Sequence, residues 1–329
     1  MASLIARAEE IKARELTNIR TSLEPLALYL NDDAVNDIFV DEGGRVSIHR
    51  FGQSIIDVPV VITENNRIQI LNQIAKWQDM LININDYPVI EGTIPIAEWN
   101  SRITGIFPPW VTSPTFTIRK PPKVVFTLED YVKTGRLSGE HYNLIYNCIQ
   151  KRQNLLISGG TGSGKTTLAN ACLKLMAEFS PEDRFYIVQD NAELQCMAKY
   201  ATLVTIKREQ AVRAVQLAMR WSPRRIIFGE VRDGQVMAEL LDAWNTGHPG
   251  GLSTIHADTA ESTFLRVRTL LRQKYAGELP AINGLVHLIV HLRADPEIGV
   301  RIDEVLETNK YSEDYIDSLV EEEEARASA

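Results

Sequence analysis

The run Gly159-Gly160-Thr161-Gly162-Ser163-Gly164-Lys165-Thr166 has the spacing GxxxxGK[ST], which suits it to gripping the phosphates of a nucleotide. Glycines let successive backbone N–H groups turn inward with no Cβ in the way and wrap phosphate oxygens. Lys165 supplies a point charge for the β- and γ-phosphate oxygens. Thr166 supplies a hydroxyl for Mg2+, an ion that keeps most of its waters and takes only one or two protein oxygens. Thr167 stands in the first turn of a following helix, whose N-terminus favours anions. The expected ligands are ATP and Mg2+.

Three further groups of residues have types that could serve a bound triphosphate. Arg225-Ile226-Ile227-Phe228-Gly229-Glu230 is an apolar strand ending in a carboxylate, and at a strand's C-terminal end Glu230 would orient an attacking water or hold the metal shell. Phe185 to Asp190, with Glu193 beyond, offers two carboxylates for metal-bound waters. Asp190 also fits a helix-capping box with Glu193, and the two roles are compatible. His248 and His256 flank a glycine-rich turn and a short apolar strand, where imidazoles near a γ-phosphate could sense its presence. The expected site therefore comprises catalytic Lys165, Glu193, Glu230 and His256, phosphate-binding residues 159–167 with His248, and metal-binding Thr166, Asp190 and Glu230.

These residues need a scaffold, and the apolar periodicity outlines one. Asn154 to Ser158 reads as a buried strand and Thr167 to Glu178 as a helix with Leu168, Ala171, Cys172 and Leu175 on one face. Strand candidates at 185–188, 203–206, 225–228 and 252–255 alternate with helix candidates at 208–221, 233–245 and 259–273, the pattern of a parallel sheet with crossover helices. Segments 285–292 and 300–307 read as an antiparallel addition. Upstream, short β-type runs at 37–40, 45–49 and 102–107 with a helix at 64–78 indicate an α+β domain. Pro121-Pro122 breaks regular structure, and 126–136 reads as a connection. The division expected is an α+β N-terminal domain at 1–120, a linker at 121–136, an α/β P-loop domain at 137–312 and a disordered acidic tail at 313–329. Residues 3–19 read as an amphipathic helix through Leu4, Ala8, Ile11 and Leu16, packing on its own domain or docking elsewhere.

A chain of 329 residues, 44% hydrophobic, can bury two cores. Its net charge of −8 argues against a general nucleic-acid binder. Cys148, Cys172 and Cys196 are scattered, which fits a reducing compartment and offers no zinc framework. No run of about 20 apolar residues spans a membrane, and a signal-peptide core is missing, so the expected location is cytoplasmic or peripheral on a membrane's cytoplasmic face.

The loop at 159–166, the acidic pair at 190 and 193, Gly229-Glu230-Val231-Arg232, and the histidine box Thr246-Gly247-His248 through Ser253-Thr254-Ile255-His256-Ala257 occur in the order seen in the type IV secretion traffic ATPases, which the chain resembles. Ala243 to Gly251 is especially similar to the TrbB branch, which serves conjugative DNA transfer. Pro108-Pro109 and Phe116 to Lys120 resemble the end of that family's N-terminal domain. The resemblance implies a RecA-like C-terminal domain, a homo-hexameric ring, ATP between the two domains, and partners among the inner-membrane components of a secretion channel. It also implies arginines carried from the N-terminal domain to the phosphates, matched here by Arg102 and Arg119; a guanidinium suits that role because it is permanently charged and bidentate.

The chain departs from the family pattern at Gln189 and Gln235, where acids are usual, and at Arg224, where an Asp is usual. Lys165, Thr166 and Glu230 remain, so hydrolysis is expected, with metal affinity and turnover open to change. A nucleotide-gated ring with little hydrolysis, or a pilus or type II secretion ATPase, are the competing readings.

Overall fold

The structure, a computed structural model, describes residues 2–50, 53–83, 85–121, 125–295 and 298–328, and the chain divides into two units, Met1–Lys123 and Val124–Ala329. The first contains α1 (Ala2–Leu23), α2 (Ala27–Asn31), β1 (Val35–Val40), β2 (Arg45–Arg50), β3 (Ile56–Val61), α3 (Glu64–Trp77), β4 (Val89–Thr93), β5 (Arg102–Ile106) and β6 (Thr115–Arg119). The strands form one antiparallel sheet in the order β3-β2-β1-β6-β5-β4. Alternation explains which face is buried: Ile38 and Val40, Val46 and Ile48, Ile103, and Phe116 and Ile118 point one way. Helix α3 covers that core with Ile70, Leu71, Ile74 and Ala75, and Thr63 caps it by accepting from the Asn66 N–H at 3.3 Å. Among the described side chains of α1, Ile19 and Leu23 at its C-terminal end are in this core; Ile11 remains 52% exposed, and the side chains of Leu4 and Ala8 lie outside the described residues.

The second unit contains α4 (Leu128–Lys133), α5 (Gly139–Gln150), β7 (Leu155–Gly159), α6 (Lys165–Phe179), β8 (Arg184–Gln189), β9 (Tyr200–Thr205), α7 (Ala211–Ala218), β10 (Arg225–Val231), α8 (Gly234–Asn245), β11 (Leu252–Ile255), α9 (Ala260–Arg272), β12 (Leu288–Asp295), β13 (Gly299–Glu307) and α10 (Glu313–Ser328). Its sheet runs β13-β12-β7-β11-β10-β8-β9, and every pair is parallel except β12 with β13. Central strands in such a sheet are covered on both faces and so read as continuous apolar runs; β7 is buried along its whole length.

Three expectations are corrected. Segment 126–136 is not merely a connection: a capping box between Thr127 and Asp130 starts α4, and its Leu128 and Tyr131 lie in the second unit's core. The presumed disordered tail is helical from Glu313, because Ile316 and Val320 are buried and Arg268, itself buried, pairs with Glu313 and Asp317. Segment 285–292 does not start an antiparallel addition, since β12 pairs parallel with β7 and only β13 reverses direction. Pro122 lies outside the described residues. Among the described residues no helix is long and apolar enough to cross a membrane.

One buried ionic cluster fastens the edge of the sheet where β8 and β10 begin. Arg225 is fully buried, and its guanidinium donates to Asp183 at 2.9 Å, to the Gly250 carbonyl at 3.1 Å and to the Ser180 hydroxyl at 3.0 Å, while Arg152 reaches Asp183 at 2.6 Å. Gly250 has φ +78°, and a Cβ there would meet the Arg225 guanidinium at 2.2 Å, so close approach requires glycine. Removing Arg225 would leave the Gly250 carbonyl and Ser180 hydroxyl without it and Asp183 with Arg152 alone, so Arg225→Ala should destabilise the second unit by about 3–5 kcal/mol. The exposed Arg224→Ala should stay within about 0.5 kcal/mol. Urea unfolding followed by circular dichroism checks this, and equal midpoints for the two variants would contradict it.

Candidate active site

The phosphate loop leaves the C-terminal end of β7 and enters α6. A Cβ at Gly159 would lie 2.5 Å from the Ser163 hydroxyl and 2.6 Å from the Leu292 carbonyl, and Gly164 has φ +81°, so both positions demand glycine. The backbone N–H groups of Gly162, Gly164, Lys165 and Thr166 have no backbone acceptor, and the buried Ser163 hydroxyl has no protein partner. Unmatched donors converging at a helix start are what a polyphosphate requires. Lys165 Nζ is turned onto its own loop, donating to the Gly159 carbonyl at 2.9 Å and the Gly160 carbonyl at 2.7 Å. The residues present therefore fit a nucleotide's phosphates.

Strand order builds the rest. Because β11 lies between β7 and β10, the residue that leaves β11, His256, falls between the phosphate loop and the end of β10. His256 Nδ1 is 3.4 Å from Lys165 Nζ, and its Nε2 is 2.7 Å from Glu230 Oε1, an electrostatic contact rather than a well-directed hydrogen bond. An ammonium can only donate, so Nδ1 is the bare nitrogen and Nε2 carries the proton. Burial and the Lys165 charge push the His256 pKa below its usual value, which keeps the ring neutral. Next in line, Arg232 donates to Glu230 at 2.6 Å and sits 3.4 Å from Asp190, which follows the neighbouring β8. Lys165, His256, Glu230, Arg232 and Asp190 thus form a row across the sheet's C-terminal edge. Burial alone would raise the Glu230 carboxyl, but Arg232, His256 and Lys165 together hold it below the usual carboxylate range. Burial lowers the Lys165 pKa, and Glu230 opposes that shift.

Backbone detail aims these groups. The ladder between β10 and β11 slips between Phe228 and Glu230, a bulge at Gly229 that sets the direction of the Glu230 side chain. The carbonyls at the slip are satisfied by Ser253 to Phe228 at 2.7 Å and Thr254 to Gly229 at 2.8 Å. Beneath the loop, the buried hydroxyl of Ser158 lies 3.1 Å from His291 Nδ1, fastening β7 to β12 just ahead of Gly159. Asn170 on α6 holds the segment after β8, donating to the Glu193 carbonyl at 3.1 Å and accepting from the Gln195 N–H at 2.8 Å. Glu193 Oε2 is thereby set 3.5 Å from the Thr166 hydroxyl. A cleft of about 420 Å3 adjoins the acidic end of the row, lined by Asp190, Arg208, Phe228, Glu230, Arg232 and Gln235.

The structure brings together Lys165, Thr166, Glu193, Glu230 and His256, with Asp190 joined through Arg232. It does not bring His248 to them. β11 runs parallel to β7, so His248, which precedes β11, lies at the opposite edge of the sheet, its Nδ1 3.1 Å from the Ala243 carbonyl. Within the chain it is not a phosphate ligand. Arg102 and Arg119 belong to the first unit, where they stand directly opposite each other across β5 and β6. Arg119 pairs with Asp37 at 2.8 Å and Arg102 with Glu91 at 3.8 Å. Sequence reading named Arg232 only as part of a motif; its link to Asp190 depends on β8 and β10 being neighbours, and a cation two residues after Glu230 was the available signal. Gln189 turns its side-chain oxygen inward to accept from the N–H groups of Glu193 at 3.1 Å and Leu194 at 2.9 Å, so it shapes the acidic segment and does not face the hydroxyl of Thr166.

Comparison with known proteins gives consistent findings. A family model described as "Type II/IV secretion system protein" matches residues 36–309. The chain is 35% identical over 309 residues to the probable conjugal transfer protein TrbB of Sinorhizobium fredii, covering 92% of this chain and 93% of that one. It is 36% identical over 290 residues to the conjugal transfer protein TrbB of Rhizobium radiobacter, covering 88% of each. Among solved structures, the pilus retraction motor PilT with bound ADP shares the fold with a TM-score of 0.66 at 17% identity, over 92% of this chain and 87% of that one.

The geometry at His256 fixes a pH dependence. Its folded pKa lies below its unfolded value, so the unfolded chain takes up the proton first as pH falls. The stability contributed by the neutral ring is therefore full above about pH 6.5 and lost as pH drops through the folded pKa. The advantage of wild type over His256→Gln in melting temperature should shrink between pH 7.5 and pH 5.5, and an advantage that grows on acidification would contradict this protonation state.

Proposed function

The chain belongs to the type II/IV secretion system protein family, and we propose that it is a Mg2+-dependent ATPase that works as a homo-hexameric motor for conjugative DNA transfer, with its second unit a RecA-like nucleotide domain. The observation that carries this reading is the row from Lys165 to Asp190, which sets a cation, a neutral imidazole, an ionised carboxylate and a second cation beside a loop of unmatched N–H donors. Its support for conjugation in particular is the likeness to the two TrbB proteins. Peripheral placement on the cytoplasmic face of a membrane, against the inner-membrane parts of a secretion channel, follows from that role.

In this reading Lys165 exchanges its two loop carbonyls for the β- and γ-phosphate oxygens of ATP. Glu230, held ionised by Arg232, accepts a proton from the attacking water or orients it. His256 contacts both Lys165 and Glu230, so displacement of Lys165 toward a γ-phosphate would be felt at the carboxylate and, through Arg232, at Asp190. Mg2+ when bound would offset the charge of the phosphates. Thr166 would hold it directly, with Glu193, Asp190 and Glu230 meeting its waters. Among the described residues no three acidic, cysteine or histidine side chains form a closed metal cage, and Mg2+ does not require one.

Arg102 and Arg119 would complete the site on the phosphates. A nucleotide-gated ring that hardly turns over is the competing reading.

Steady-state phosphate release separates the two. Wild type should hydrolyse ATP only with Mg2+, Glu230→Gln should lower kcat by about 10² or more with KM little changed, and Arg119→Ala should lower kcat by about 10³. If wild type releases no more phosphate than Lys165→Ala, the motor reading fails and the gated ring replaces it.

A further inference from the structure

Sheet edges expose unpaired N–H and C=O groups, and proteins blunt them with charge, proline or glycine. Three of this chain's four sheet edges follow that rule: β3 carries Asp57 and Pro59, β4 carries Glu91 and Gly92, and β13 carries Arg301, Asp303 and Glu304. The fourth does not. β9 reads Tyr200-Ala201-Thr202-Leu203-Val204-Thr205, with strong β-formers and none of the blunting residues.

The surface around β9 is also unlike the rest of an acidic chain. Between Met197 and Arg224 there are six cations, Lys199, Lys207, Arg208, Arg213, Arg220 and Arg224, all exposed, against one acid in that stretch, Glu209, and a second from outside it, Glu182, 3.8 Å from Lys199. Arg184, also exposed, is the register partner of Tyr200 on β8. Large apolar groups are exposed among these cations: Tyr200 at 43%, Leu203 at 44% and Trp221 at 44%. Trp221 donates to the Thr202 hydroxyl at 3.2 Å, and Lys199 lies 4.7 Å from the centre of the Tyr200 ring. Trp221, Lys199 and Arg184 thus stand directly beside the β9 edge.

We propose that the β9 edge binds an extended acidic segment of a partner protein, which adds as an eighth strand to the second unit's sheet. The open ladder selects an extended peptide, because main-chain hydrogen bonds give the affinity in strand addition and alternate side chains give the specificity. The surplus of cations selects acidic side chains, and Leu203 and Tyr200 offer apolar contacts between them. A nucleic acid would use the cations and rings but leave the ladder unmatched, and so would an anionic bilayer. The surface also leads to the catalytic row: Lys207 and Arg208 follow β9 directly, and Arg208 lines the cleft shared with Asp190, Glu230 and Arg232. A docked strand would therefore lie next to the elements that hold the nucleotide site.

The test uses the full chain and four probes: a fluorescent end-capped peptide alternating glutamate and valine, its lysine–valine counterpart, oligo-dT, and vesicles of phosphatidylglycerol with phosphatidylcholine. The glutamate peptide should bind saturably by anisotropy, should slow amide deuterium exchange in residues 200–206, and should weaken as salt is raised. Leu203→Glu, and separately Arg220→Glu with Arg224→Glu, should weaken it at least about tenfold; these are exposed positions, and circular dichroism will show that the fold is retained. The proposal is overturned if the lysine peptide binds as well, or if exchange in 200–206 is unchanged. Oligo-dT or vesicles protecting the same segment in preference to the glutamate peptide would likewise overturn it and assign the face to nucleic acid or lipid. These readouts need no ATP turnover, so they stand or fall apart from the proposed activity.

Discussion

The structure of the second unit depends on a single line of charge, which the order of strands imposes. With β11 between β7 and β10, and β8 beyond β10, the chain ends of four parallel strands deliver Lys165, His256, Glu230 and Asp190 side by side, and Arg232 fills the gap before the last. Each member is defined by its neighbours. His256 stays neutral because burial disfavours its charged form and an ammonium faces one nitrogen, and Glu230 stays ionised despite burial because Arg232 holds it. A change at one end of the line is therefore passed to the other through direct contacts.

The opposite edge of the same sheet has the contrary character. There Arg225, Asp183 and Arg152 form a cluster with the Gly250 carbonyl, and Asn154 accepts from the Gly251 N–H at 2.9 Å. Those bonds fix the start of β11, and a strand of four residues transmits that position rigidly to His256 at its other end. The glycine-rich turn that contains His248 is thus better understood as the anchor of the imidazole at residue 256 than as a second sensor. A buried ion pair is a weak source of net stability but can specify geometry when its polar groups are matched, and each Arg225 guanidinium nitrogen makes a hydrogen bond.

Legibility in the sequence followed the range of the interactions. The phosphate loop was readable because its donors, its cation and its hydroxyl are contiguous. Glu230 was readable because an apolar run ending in an acid is also local. The row as such was not, since Arg232 meets Asp190 only once β8 and β10 are known to be neighbours. His248 was misplaced for a related reason: spacing along the chain does not say which end of a strand a residue occupies, and β11 being parallel to β7 decides it. The helix at Glu313 was hidden behind a run of glutamates, because its buried apolar residues, Ile316 and Val320, are few, and Arg268, the ionic partner of Glu313 and Asp317, is distant in sequence. Gln189 shows that a departure from a family pattern need not be a loss at the metal, since its amide oxygen is already used by two backbone N–H groups.

Lys165 and the loop around it are proposed to hold a nucleotide's phosphates. Isothermal titration calorimetry of ATP into the purified, folded chain, with and without Mg2+, tests it most directly when Lys165→Ala is run in parallel. The account predicts saturable uptake that requires Mg2+ and weakens at least about tenfold in the variant, or about 1.4 kcal/mol. No uptake by folded wild type, or equal affinity in the variant, would contradict it.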